Sequence, residues 1–119
     1  MDYTSQELHQ IAMTTAGKKL ESKHFEFLAI NSGIKKSPQF IARKDGKLSF
    51  VLVKFCLYPE NPESYDTIWM ETIKAHAKEK EARLYFIGVG FANSNAMEKP
   101  PSKNDDLLIK FSGKIERIL

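Results

Sequence analysis

Few side chains in this sequence have both the type and the setting to do chemistry, and each has a plainer use. Lys54 follows the apolar run Phe50-Val51-Leu52-Val53, where the plain reading is a strand-end lysine whose stem packs while its ammonium reaches solvent. Cys56 stands alone in the chain, so it forms no internal disulfide, and its apolar neighbours suit a small buried thiol. Three histidines are present, but His9 and His24 are fifteen residues apart around one helix and His76 belongs to another, which is no metal-ligand set. His76 reads as a core or boundary histidine on the inner side of its helix. Gly88-Val89-Gly90 lacks the third glycine and the following helix of a dinucleotide fingerprint, and no Ser or Cys nucleophile motif occurs. The densest charge is basic: Lys35, Lys36, Arg43, Lys44 and Lys47 gather with only Asp45 opposing them. Such a cluster either contacts phosphate or forms a hydrated rim that keeps a hairpin edge from aggregating. Few aromatic residues interleave with it, which leaves base stacking without support.

The elements that must position these groups are legible from local chemistry. Thr4 and Glu7 have capping-box spacing, Tyr3 and Leu8 stand at the staple positions, and Leu8, Ile11, Ala12, Ala16 and Leu20 make one apolar stripe. A helix to about Lys23 is expected, weakened in its middle by Gly17. Residues 24–30 alternate apolar and polar and predict a strand closed by Asn31-Ser32-Gly33. Asp45-Gly46 between two apolar, β-branched runs predicts a tight hairpin, whose second arm, apolar on both faces, belongs in the middle of a covered sheet. Asn61-Pro62 predicts an N-cap and first helical position. The second helix then presents Tyr65, Ile68, Trp69, Ile73, His76 and Ala77 on its apolar side. Residues 83–92 predict a buried strand in which Gly88 and Gly90 allow a close backbone approach. The 93–105 stretch, with Pro100-Pro101, predicts a long mobile loop, and the 107–111 and 115–119 segments are expected to pair at a sheet edge. A helix between two strands predicts a right-handed parallel crossover. The expected fold is a single mixed α/β domain over 1–119, in the order αβββαβ, with two helices flanking a mixed central sheet.

Composition narrows the rest. The hydrophobic fraction of 42% and charged fraction of 28% exclude a disordered or fibrous chain. A net charge of +3 permits a polyanionic partner without demanding one. No apolar run approaches the ~20 residues that span a bilayer, and the N-terminus has no signal-peptide pattern, so no membrane partner and a cytoplasmic location are expected.

The hairpin segment, Pro38 to Lys54, carries a more specific likeness. It resembles the metal-site hairpin of the PD-(D/E)XK, or restriction-endonuclease-like, superfamily, in the form found in small Holliday-junction-resolvase-type members. There an Asp opens the first arm, and after twelve residues comes Glu-x-Lys on the second. The Ala42-Arg43 pair, the Gly46 turn, the twelve-residue interval and Lys54 are kept, while Gln39 stands in place of the Asp and Leu52 in place of the Glu. In active members the lysine orients water or stabilises phosphate charge beside a Mg²⁺ or Mn²⁺ ion. Hard cations are held by carboxylate oxygen, and Gln plus Leu reduce the charge at that shell from about minus two to zero. The resemblance therefore implies a degenerate member with Gln39, Leu52 and Lys54 as a vestigial site, no metal and no catalytic residues.

Relocated acids are the alternative. Asp45 is explained by its turn, Glu60 by its loop and Glu71 by a solvated helix face; Glu26, on the strand before the hairpin, is the best placed of the four. The leading expectation is a non-catalytic binding or assembly module, associated with nucleic acid through Lys35, Lys36, Arg43, Lys44 and Lys47, with the 93–105 loop as a second contact surface. The alternatives are a divalent-metal nuclease built around Lys54 and a protein-interaction module with no nucleic-acid role. Nucleic acid, another protein and a second copy of the chain in a homo-oligomer all remain open as partners.

Overall fold

The computed structural model describes residues 2–33, 37–96, 98–103, 105–111 and 114–119. Its elements are α1 (Ser5–Ser22), β1 (Glu26–Ile30), β2 (Phe40–Lys44), β3 (Lys47–Leu57), α2 (Thr67–Glu79), β4 (Arg83–Asn93), β5 (Leu107–Phe111) and β6 (Glu116–Arg117). They form a mixed α/β domain around one sheet of order β1-β2-β3-β4-β5, with β6 also on β4. No helix of the described residues is long and apolar enough to cross a membrane.

Helix α1 begins where the capping box sets it. The Thr4 hydroxyl accepts from the Glu7 amide at 3.1 Å, and the Glu7 carboxylate accepts from the Thr4 amide at 2.8 Å. That carboxylate also meets the Lys103 ammonium at 2.5 Å, which with the Thr4 amide holds its pKa down to about 2. The 44–47 turn closes β2 on β3 with Asp45 at φ 53° and Gly46 at φ 75°. Two successive left-handed residues make the hairpin turn whose twist matches its strands.

β3 runs antiparallel to β2 and parallel to β4, from Ser49 opposite Arg83 to Leu57 opposite Phe91. Alternation along it feeds two cores. Val51 and Val53 join Tyr85, Ile87, Val89 and Phe91 under Leu8, Ala12, Ala16 and Leu20 of α1. Phe50 and Leu52 join Leu84 and Phe86 under Met70 and Ala77 of α2. The parallel crossover through α2 is as expected, the helix supplying the long connection that parallel neighbours need.

Three expectations need correction. The second helix starts at Thr67, not Pro62, with the Asp66 carboxylate accepting from the Ile68 and Trp69 amides at 2.9 and 3.1 Å. Asn61 does accept from a nearby amide, that of Glu63 at 2.9 Å, but this makes a single turn rather than a helix start. With the later start Ile68 lies on the wet side, 81% exposed, His76 is exposed with its ring stacked 5.8 Å from Phe50, and Met70 takes the buried position. The two terminal segments do not pair with each other: β5 pairs with β4 over Val89 to Asn93 and β6 over Tyr85 and Phe86, in series along one edge. The described part of the 93–105 loop is tied down rather than loose. Buried Asn93 donates to the Pro100 carbonyl and the Asp105 carboxylate and accepts from the Asn95 and Ala96 amides. These bonds satisfy an amide that burial would otherwise leave costly.

The close approach at Gly88 is real and extreme: a Cβ there would sit 1.6 Å from the Pro62 carbonyl oxygen. Gly88→Ala is expected to destabilise by about 2 kcal/mol or more, because backbone rather than a side-chain tip must move. Gly17→Ala, whose Cβ would meet Phe40 at an ordinary 3.6 Å in a helix interior, is expected to stabilise by about 0.5–1 kcal/mol. Urea unfolding midpoints of the two variants check both.

Candidate functional site

The middle of β3 brings together the three positions singled out by the hairpin resemblance. Gln39 precedes β2 and is fully buried; its side-chain oxygen accepts from the Val53 amide at 2.8 Å, and its own backbone amide donates to the Val51 carbonyl at 3.1 Å. The side chain thus extends the ladder where strand pairing with β3 stops. Leu52, also fully buried, points into the α2 core with Phe86 and Met70. Lys54, two residues on and on the same strand face, is half-buried with its ammonium 4.7 Å from the Trp69 ring centroid. The indole face offsets part of the cation's lost hydration.

Metal does not suit this set. A hard divalent cation needs carboxylate oxygens, whereas the one side-chain oxygen at position 39 already accepts from a backbone amide and position 52 has none. Among the described residues no three His, Cys, Asp or Glu side chains gather closely enough to hold an ion.

Beyond Lys54, at the carboxyl end of β3, a cleft of about 610 Å³ opens against the start of α2, and Lys54, Cys56, Glu60, Tyr65, Asp66 and Trp69 all line it. Of the four acids considered as relocated ligands, only Glu60 joins Lys54 here. Glu26 lies at the other end of the sheet, directly opposite Arg43 on the exposed β1. Asp45 is in the hairpin turn, and Glu71 pairs with Lys74 at 3.3 Å on the outside of α2. The Cys56 thiol touches the Glu60 carbonyl at 3.5 Å, and burial, then the Glu60 charge, push its pKa up, which makes it a poor nucleophile.

The basic residues collect at the opposite end of β3. Lys44 donates to the Lys23 carbonyl at 2.5 Å, at the α1 C-cap, and lies 5.6 Å over the Phe25 ring. Lys19, Lys23 and Lys44 line one hollow of about 310 Å³ floored by Phe25, Tyr85 and Ile115. Lys47 is exposed opposite Lys44 on the hairpin, while Arg43, also exposed, alternates to the other face of the sheet with Ile41. Lys35 and Lys36 lie outside the described residues.

Sequence reasoning missed four side chains. Lys19 and Lys23 are one helical turn apart at the end of α1, but which helix face meets the hairpin is not a local property. Asp66 before Thr67-Ile68-Trp69 is an N-cap signal that the Asn61-Pro62 pair masked. His9 falls on the α1 stripe with Ala12 and Ala16; it is 2% exposed, 6.5 Å from the Phe55 ring, and its Nε2 has no hydrogen-bond partner among the described residues.

With this geometry in place, comparison with known proteins adds one result. Residues 6–117 match the family described as a domain of unknown function, DUF8840. The chain belongs to that family. No curated protein and no solved structure matches it. In this member of DUF8840 the matched span takes in both the Lys54 cleft and the basic turn.

Burial, then the Lys54 charge, lower the His9 pKa below its ordinary 6.5. The unfolded chain therefore takes up a proton before the folded one does, so stability is expected to be full above pH 6.5 and to fall as pH drops through that value towards the lowered one. His9→Leu should flatten this dependence in urea titrations at stepped pH. Gln39→Leu, which leaves the Val53 amide buried without an acceptor, is expected to cost about 1–3 kcal/mol at any pH.

Proposed function

We propose that the protein is a non-catalytic binding module on a nuclease-like fold, holding nucleic-acid phosphate through the basic face at the β2–β3 turn. The observation that carries this reading is the use made of position 39. Its side-chain oxygen completes the β3 ladder instead of facing an open shell, with Leu52 packed beside it in the core. The resemblance of the hairpin to the PD-(D/E)XK motif supplies the nuclease-like part. The binding part is supported by Lys19, Lys23 and Lys44 around one hollow, with Lys47 exposed opposite Lys44 at the hairpin tip and Arg43 exposed on the other face of the same hairpin, where a phosphate backbone has access. Glu21 between Lys19 and Lys23, Glu26 opposite Arg43 and Asp45 in the turn are opposing charges in the same region. A cytoplasmic location is part of the proposal, in keeping with the free thiol of Cys56.

One observation favours a second reading. Glu60 and Lys54 share a cleft, which is the arrangement a divalent-metal nuclease with relocated acids would use. Incubation with single-stranded, duplex and branched DNA in Mg²⁺ or Mn²⁺ separates the two. The first reading expects no cleavage by the wild type; cleavage that disappears in Lys54→Ala would establish the second.

Binding itself is tested by titrating labelled DNA at several salt concentrations. Affinity is expected to fall steeply with salt. In the combined Arg43→Gln, Lys44→Gln and Lys47→Gln variant the log–log slope should become shallower by about 0.9 for each phosphate no longer neutralised. A protein-interaction module would give no salt-dependent affinity for DNA or RNA at all.

A further inference from the structure

The cleft at the carboxyl end of β3 contains two opposite charges that do not meet. Lys54 is half-buried and Glu60 exposed; both line the cleft, and neither has an ion-pair partner within 4.0 Å among the described residues. The third charge, Asp66, is already engaged at the start of α2, where its oxygen accepts from two amides. Tyr65 and Trp69 add aromatic wall to the cleft, with Tyr65 held against Phe86 at 5.0 Å between ring centroids. The cleft lies outside the carboxyl end of a strand in a parallel crossover, where open α/β sheets take their ligands, and its volume is in the range of small-molecule sites.

Charge decides the ligand class. A simple anion drawn to Lys54 would also face Glu60 and Asp66, and a simple cation drawn to Glu60 would face Lys54. A molecule carrying a carboxylate and an ammonium on one carbon meets both requirements, and an apolar substituent on that carbon would lie against the rings. We propose that this cleft binds a free α-amino acid with an apolar side chain, its carboxylate on Lys54, its ammonium on Glu60 and its side chain along Tyr65 and Trp69. This site is separate from the basic turn and does not depend on the polyanion reading.

Trp69 is the only tryptophan in the chain, so its emission reports on the cleft directly. Titration with L-phenylalanine is expected to give a saturable change. Hydrocinnamate, which lacks the ammonium, and phenethylamine, which lacks the carboxylate, should each bind at least about tenfold more weakly. Glu60→Gln, at an exposed position that folding does not require, and Lys54→Met should each weaken L-phenylalanine by at least about tenfold, while Lys54→Arg keeps it. Lys78→Gln, on the outside of α2, should leave it unchanged. No saturable change, equal binding of the three probes, undiminished binding by Glu60→Gln, or an equal loss in Lys78→Gln would each overturn the proposal.

Discussion

Burial of β3 on both faces is the constraint from which the rest of this structure follows. Two helices cover the sheet, so every side chain from Phe50 to Val53 is removed from water, and a carboxylate at position 52 would be an ion in a hydrocarbon layer unless metal or cations offset its desolvation. Leu52 removes that demand. Position 39 serves the backbone, with Gln39 accepting from the Val53 amide just where β2 no longer reaches. The two differences from the pattern that the hairpin resembles therefore act together: where that pattern calls for a charged shell, this chain has a packed core with its last amide satisfied.

The charged groups that remain accessible are arranged at the two ends of the same strand. At the turn, Lys44 completes the α1 C-terminus and, with Lys19 and Lys23, surrounds a hollow with an aromatic floor. At the carboxyl end, Lys54 rests on Trp69 and opens onto the cleft. The 11 residues of β3 keep these regions apart, so a cation at one end does not serve a ligand at the other.

Much of the fold was legible because it is written in short-range chemistry. Thr4 with Glu7, and Asp45 with Gly46, satisfy amides or supply left-handed residues without help from distant parts of the chain. The start of α2 was not, since Asn61 and Asp66 offer the same capping chemistry. The choice between them involves packing: the Pro62 carbonyl must cross Gly88, and the helix forms only after that crossing. For the site, a Gln at 39 and a Leu at 52 were visible as residue types. The partner of Gln39, the perch of Lys54 and the meeting of Lys19 with Lys44 depend on three-dimensional neighbours, and no spacing along the chain announces them.

The claim at the centre is that no divalent ion is held beside the inner end of β3. Anomalous diffraction from crystals grown with Mn²⁺ tests it most directly. The expected map shows no ion within coordination distance of Gln39, Leu52 or Lys54. An ion there, held by two acids from any part of the chain, would contradict the account.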